Sequence, residues 1–405
     1  MKRKYAKLLI RQGVNLQPGQ ELIIDASIEH YEFVRMLVDE AYQAGAKDVI
    51  VNYHDEYVNK LRYMNKDLDD FKTVPQYIID LRNEYADRNA PFLSLTGDDP
   101  EGMMDVDGNK IQTYSVALHQ ACKPFYDGMY LGINRWCIAG VPTQLWANKV
   151  FPEESDEEAI ESLWNVILKT VYCDKDDPIE YWNEHRHNFE DRVNKLNRLN
   201  IKQLHYTNSL GTDLFVGMNE DYLFAGGGSY TSDGIYSFPN MPTEEIFTSP
   251  NKDDVEGIVY NALPLYYNGH VIDDFYISFK KGRIIDYKAE KGHEILKSII
   301  ETDEGSHYLG EASLVPYDSP ISNLHLLFYN TLYDENASCH LAIGKGFNEC
   351  LRNGDKMSKE ELFKHGINES MTHVDFMIGT KDLNIEATLN DGSKVSIFKD
   401  GNFDL

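Results

Sequence analysis

Apolar positions in the first half of the chain alternate between two periods. Residues 21–26 (Glu-Leu-Ile-Ile-Asp-Ala) and 48–53 (Asp-Val-Ile-Val-Asn-Tyr) are short apolar runs of strand length. Between them Phe33, Met36, Leu37 and Ala41 recur at helical spacing over 29–44, and Gly45 stops the pattern. Strand, helix and strand in that order predict a βαβ unit and therefore a parallel pair. A short amphipathic helix over 5–12 precedes the unit. Strand-like runs at 91–95 and 135–141 extend the theme after helical stretches. The segment 154–172 reads as a helix with acids in its first turns, where they favour the amino-terminal end. The amino-terminal part is thus expected to be α/β with a parallel sheet.

The pattern changes after a charged helix at 178–199. Runs at 203–207, 212–217, 222–225, 234–237, 257–262, 274–280 and 283–288 all read as β. Lys280-Lys281-Gly282-Arg283 is a hairpin turn, 294–302 a helix, and 385–389 with 394–398 a closing hairpin across Asn390-Asp391-Gly392-Ser393. Two domains are expected, 1–195 as the α/β domain and 196–405 as a β-rich, mixed α+β domain. The triplet Gly226-Gly227-Gly228 has neither the lysine nor the βα setting of a phosphate cradle. It reads as a strand bend or a close backbone approach.

Composition narrows the partners. The 66 acids against 39 bases give a net charge of −27, which disfavours binding to a phosphate backbone. No nucleic-acid partner is expected. No run approaches the length of a membrane helix, so no membrane partner is expected. The basic start Met1-Lys2-Arg3-Lys4 is not followed by an apolar h-region, and it is not read as a signal peptide. Five cysteines, with no Cys-x-x-Cys pair, read as free thiols of a reducing, cytoplasmic compartment.

Candidate chemistry gathers in the second domain. The run 371–379 (Met-Thr-His-Val-Asp-Phe-Met-Ile-Gly) reads as a short, largely buried strand with one imidazole and one carboxylate. His373 and Asp375 are two apart, so both face one side. Imidazole plus carboxylate suits a divalent ion of the zinc, manganese or cobalt kind; a surface ion pair is the alternative. Upstream, 324–329 is strand-like. A polar turn then brings Asp334, Glu335 and His340 close together, ahead of a brief helical segment and Gly344-Lys345-Gly346. In the competing reading, Asp334 and Asn336 cap a short helix and His340 fills a surface slot. Glu311, and the pair Glu244 and Glu245, enter or interrupt apolar strands. Carboxylates there are costly unless paired or coordinating a cation, the alternative being solvated strand ends. Cys339, beside His340, reads as a small buried filler rather than a thiol ligand. There is no His-Glu-x-x-His, no P-loop and no Gly-x-Ser-x-Gly.

These residues carry a resemblance. Pro242-Thr243-Glu244-Glu245, Gly310-Glu311-Ala312, the run from Asp334 to Ser338, His340 and His373-Val374-Asp375 follow the order and approximate spacing of the aminopeptidase T/aminopeptidase S family. These are bacterial metallopeptidases that include the PepS enzymes. Tyr5 to Leu9, Gly13 to Leu16, Trp136 to Ala139 and Pro142-Thr143 also look like that family, so the resemblance spans nearly the whole chain. It implies a co-catalytic aminopeptidase with two divalent ions (zinc, cobalt or manganese), releasing N-terminal residues from short peptides by a metal-activated water. By carry-over Glu245, Glu311, His340, His373 and Asp375 would be ligands, with Glu311 bridging. Glu335 would either touch a metal or act as general base. A homodimer is implied. One departure stands out: the family usually has tyrosine seven residues after the histidine matching His340, and here Phe347 offers no hydroxyl. Two alternatives follow. One is a non-catalytic metal- or peptide-binding relative; the other is a two-metal hydrolase acting on a different amide.

Overall fold

The computed structural model describes residues 1–267 and 270–405. It divides into two compact units. One joins Met1–His185 to Gly228–Thr243, and the other joins Arg186–Gly227 to Glu244–Leu405. The dividing line falls inside helix Pro178–Arg198, ten residues before position 195, and a later segment returns to the first unit.

The first unit is α/β. Strands β1 (Glu21–Ser27), β2 (Asp48–His54), β3 (Phe92–Thr96) and β4 (Trp136–Gly140) lie parallel in the order β2-β1-β3-β4, and Asn240–Met241 adds a parallel edge. Helix Tyr31–Gln43 forms because Phe33, Val34, Leu37 and Ala41 share one buried stripe. Gly45, at φ +94°, takes the left-handed position that ends it. Helix Asp156–Thr170 places Asp156, Glu157 and Glu158 in its first turn, as the acid pattern predicts.

The second unit holds two antiparallel sheets. The larger, with nine strands among the described residues, runs in hydrogen-bonded order from Leu265–Tyr267 and His270–Lys280 to Lys394–Lys399 and Asn402–Phe403. Arg283–Lys291 pairs with His270–Lys280 through the expected hairpin, and Asn384–Leu389 pairs with Lys394–Lys399 through the other. The smaller sheet comprises β5 (Ala225–Gly226), β6 (Ile246–Thr248), β7 (Leu309–Leu314), β8 (His340–Gly344) and β9 (His373–Met377), ordered β9-β8-β7-β6-β5. A continuous apolar core backs it, including Leu204, Val216, Leu314, Leu341, Ile343 and Phe376.

Three local expectations need correction. Residues 324–329 are not a strand: His325 and Tyr329 adopt left-handed backbone (φ 52° and 53°), which breaks extended pairing. The brief helical segment lies at Thr331–Asp334 and Glu335–Ala337, ahead of His340, while Leu341, Ala342 and Ile343 are the middle of a central strand. Residues 222–225 form only an isolated bridge, Tyr222 to Leu351, and the start of β5.

A candidate two-metal centre on one face of a sheet

The small sheet places its charged groups by period two. On β9, His373 and Asp375 share a side; on β8, His340, Ala342 and Gly344 do; on β7, Glu311 and Ser313 do. Register lines these sides up, with Glu311 opposite Ala342, Ala342 opposite Asp375, Ser313 opposite His340, and Gly344 opposite His373. A bulge between Leu309 and Glu311 shifts the register where Glu311 enters the row. Glu245 immediately precedes β6 and reaches the same group. Small residues at Ala342 and Gly344 leave the middle of the face open for the acids and imidazoles around them.

Two groups of three result. Glu245, Glu311 and His340 each offer one donor atom, all within 4.8 Å of one another, and so do Glu311, His373 and Asp375. Glu311 belongs to both. His340 Nε2 lies 3.3 Å from Glu245 Oε2, and His373 Nε2 lies 3.0 Å from Glu311 Oε2. His340 and Glu311 are 1% and 4% exposed. Glu335 stands outside both groups. It is half-buried, and Asn336 Nδ2 donates to its Oε1 at 3.4 Å. Glu244 is also outside; its backbone N–H donates to Asn336 Oδ1 at 2.8 Å. Asp334 accepts from the backbone N–H of Phe328 and Asn330, so its role is structural. Cys339 is likewise in neither group: its thiol donates to Val315 O, and burial pushes it up to about 12. Phe347 packs its ring 5.0 Å from that of His373 and 5.4 Å from that of Phe247.

The hydrogen bonds decide what this arrangement suits. His340 Nδ1 is 3.0 Å from Ser338 O, and His373 Nδ1 is 2.8 Å from Lys345 O. A carbonyl only accepts, so each Nδ1 carries the hydrogen. In a neutral ring the Nε2 lone pair then faces a carboxylate, acceptor against acceptor. Such a contact requires a positive charge between its members, either a proton or a metal ion. Orientation of a ligand imidazole by a backbone carbonyl on its far nitrogen is what metal sites use. Asp375 Oδ1 approaches His373 Nε2 to 3.2 Å but lacks hydrogen-bond alignment, and it is buried without a partner. Two imidazoles with three carboxylates therefore fit divalent ions of the zinc, cobalt or manganese kind.

Titration reflects the crowding of charge. Burial opposes protonation of His340, yet Glu245, Asp375 and Glu311 raise it to about 10. Burial also opposes protonation of His373, and Asp375 and Glu311 hold it well above the usual imidazole range. Burial, then the charge of Asp375, lifts Glu311 to about 7, with His373 opposing. Burial and the charges of Glu245, Asp375 and Glu311 push Glu335 well above the carboxylate range. Asp375 is lowered: burial works against its ionisation, but His373 and His340 outweigh it.

The family model for thermophilic metalloproteases (M29) matches residues 2–403. The chain belongs to the M29 family. It is 44% identical over 399 residues to aminopeptidase AmpS of Bacillus subtilis, covering 98% of this chain and 97% of that one. It is 42% identical over 400 residues to aminopeptidase 2 of Geobacillus stearothermophilus, covering 99% and 97%. The solved structure of wild-type AmpT from Thermus thermophilus superposes with a TM-score of 0.93 at 34% identity, over 100% of this chain and 99% of that one. This M29 chain is accordingly a metallo-aminopeptidase.

Sequence reasoning missed the supports of the site. Ser313 Oγ donates to Glu245 Oε2 at 3.2 Å. Its place two residues after Glu311 was the available signal. The carbonyls of Ser338 and Lys345 leave no mark in side-chain identity, so no sequence signal could have found them.

Proposed function

We propose that this M29 aminopeptidase holds two divalent ions, one in Glu245–Glu311–His340 and one in Glu311–His373–Asp375, and uses them to release N-terminal residues from short peptides. The observation that carries the reading is the pair of imidazoles whose hydrogens are committed to backbone carbonyls while their free nitrogens face carboxylates. Membership of Glu311 in both groups supports a bridging role. Bound there, divalent ions would supply Lewis acidity, lowering the pKa of water and polarising the scissile carbonyl.

The chain's own residues do the rest. The Ser338 and Lys345 carbonyls fix the ring orientations, and Ser313 holds one oxygen of Glu245. Glu335 lies in the electrostatic field of Glu245, Asp375, His340 and Glu311 without belonging to either group. With ions held at those groups the local charge would be inverted and the ionised form of Glu335 favoured. Its carboxylate then accepts the proton of the attacking water and returns it to the leaving amine. Cytoplasmic residence is part of the proposal, supported by five free, buried thiols, and so is a homodimer. Among the described residues no helix is long and apolar enough to cross a membrane.

Metal content tests the assignment. Wild-type protein should carry two ions per chain by plasma mass spectrometry. Glu311→Gln should lower both sites and abolish hydrolysis with the fold intact, and His373→Ala should lose one ion and activity. Wild-type content and rate in Glu311→Gln would defeat the site.

A further inference from the structure

The two imidazoles are held in different ways. His340 stands in β8, which is paired on both edges, and the carbonyl that takes its Nδ1 hydrogen belongs to Ser338, two residues back in the chain. His373 is the first residue of β9, an edge strand that pairs, among the described residues, with β8 alone. Its carbonyl partner, Lys345, is 28 residues away, just past the end of β8. The aim of His373 therefore depends on how residues 369–372, which lead into it, are set against Lys345.

Packing does not set them: residues 369–372 include no buried side chain, and Met371 is 70% exposed. Hydrogen bonds to one carboxylate do so instead. Met371 N–H donates to Asp303 Oδ2 at 2.6 Å, and Ser370 Oγ donates to Asp303 Oδ1 at 2.8 Å. Ser370 Oγ in turn accepts from Thr372 N–H at 3.2 Å, and Thr372 O accepts from Lys345 N–H at 2.8 Å. A chain of bonds thus runs from Asp303 to the residue whose carbonyl orients His373. Asp303 is itself fixed, just past helix His293–Ile300. Its Oδ1 accepts from Ser306 N–H at 2.8 Å, its own N–H donates to Ser306 Oγ at 3.0 Å, and the buried Ser306 hydroxyl donates to Ile300 O at 2.7 Å. Burial works against ionisation of Asp303, but the donors from Met371, Ser370 and Ser306 outweigh it and hold the carboxyl below the usual carboxylate range. Bonds to an ionised acceptor are the strong ones. None of these bonds reaches Glu245 or His340.

We propose that Asp303 is a positioning residue for one ion only: by fixing residues 370–372 it sets the aim of His373, and with it the affinity of the Glu311–His373–Asp375 group, while the Glu245–Glu311–His340 group is independent of it. This rests on the two-ion reading of those groups. Asp303 acts through the backbone and takes no part in the bond-breaking step.

The test is calorimetric titration of cobalt(II) into chelated wild type, Asp303→Asn, Ser370→Ala, His373→Ala and the double variant Asp303→Asn with His373→Ala, with a melting curve of each chelated protein. Asparagine can keep the Oδ1 contacts but turns a donor toward Met371 N–H. In Asp303→Asn one Kd should rise about tenfold or more while the other stays within about twofold. Ser370→Ala should weaken the same ion by a smaller factor. In the His373→Ala background the remaining ion should bind equally well with or without Asp303→Asn. Both Kd values unchanged, or both raised alike, would overturn the proposal, as would a further loss from Asp303→Asn in the His373→Ala background. If Asp303→Asn does not fold, Ser370→Ala decides by the same criterion. A wild type that binds fewer than two ions would instead defeat the site reading, so the two failures are distinguishable.

Discussion

His340 and His373 each turn Nδ1 to a carbonyl of their own neighbourhood, at Ser338 and Lys345, and present Nε2 to acids. That commitment suits the pair to the ligand role proposed for them. Glu335 differs: Asn336 Nδ2 donates to it, and burial first, then the charges of Glu245, Asp375 and Glu311, drive its pKa up. If it moves the proton, Glu335→Gln should keep both ions yet lower kcat by about 10²-fold or more, as loss of a general base does. Loss of an ion in that variant would make it a ligand instead. Phe347→Tyr should change metal affinity or rate, since the new hydroxyl would stand beside His373. No change in either would reduce the position to packing. The identities of these residues were legible in the chain because His-x-Asp on a strand places both groups on one side. The choice of Glu245 over Glu244 came only from the family resemblance; in the structure, Glu244 lies outside both groups.

Four strands carry the site, and their register does the gathering. Glu311, Ala342 and Asp375 form one row, while Ser313 and His340 form the next. Close backbone approaches hold the row in place. A Cβ on Gly344, at φ +106°, would come within 2.2 Å of Thr372 O, directly opposite His373. Gly344→Ala should therefore cost about 1–3 kcal/mol through backbone strain and weaken binding of the ion at His373. Thermal unfolding with and without added metal checks both effects. Gly226 plays the same part beside Glu245, where an added Cβ would meet Glu245 O at 2.4 Å. This bears out the close-approach reading of the glycine triplet. Hairpins with Gly282 and Asp391-Gly392 were readable from turn chemistry alone. The central strand β8 was not, because three apolar residues flanked by a polar turn and a glycine turn fit helix and strand equally. Only pairing on both edges, to β7 and β9, decides it.

At the scale of the whole molecule, the five-stranded parallel sheet belongs to the first unit and the two large antiparallel sheets to the second, and all six candidate site residues lie in the second. The α/β character of the first was legible from alternating periods. The return of Gly228–Thr243 to the first unit was not, since that pairing, Asn240–Met241 with β4, is remote in sequence. Charge at the site should govern stability against pH. His340 rises from 6.5 to about 10 on folding and Glu311 from 4.5 to about 7. Both folded values are raised, so each contribution is full below the unfolded value and is lost as pH rises through the folded one. Asp375, lowered, contributes above its unfolded value and loses that only on acidification. Chelated protein should thus lose stability from about pH 5 to pH 10. Metal-loaded protein should gain from its ions over the same range, because binding releases those protons. Parallel melting profiles with and without chelator would argue against ions at these groups. The most direct test of the account is to titrate a divalent metal into chelated protein and follow hydrolysis of leucine p-nitroanilide. Activity should be complete only near two equivalents per chain, and the N-acetylated substrate should stay intact throughout. Full activity at one equivalent, or none at any loading, would contradict it.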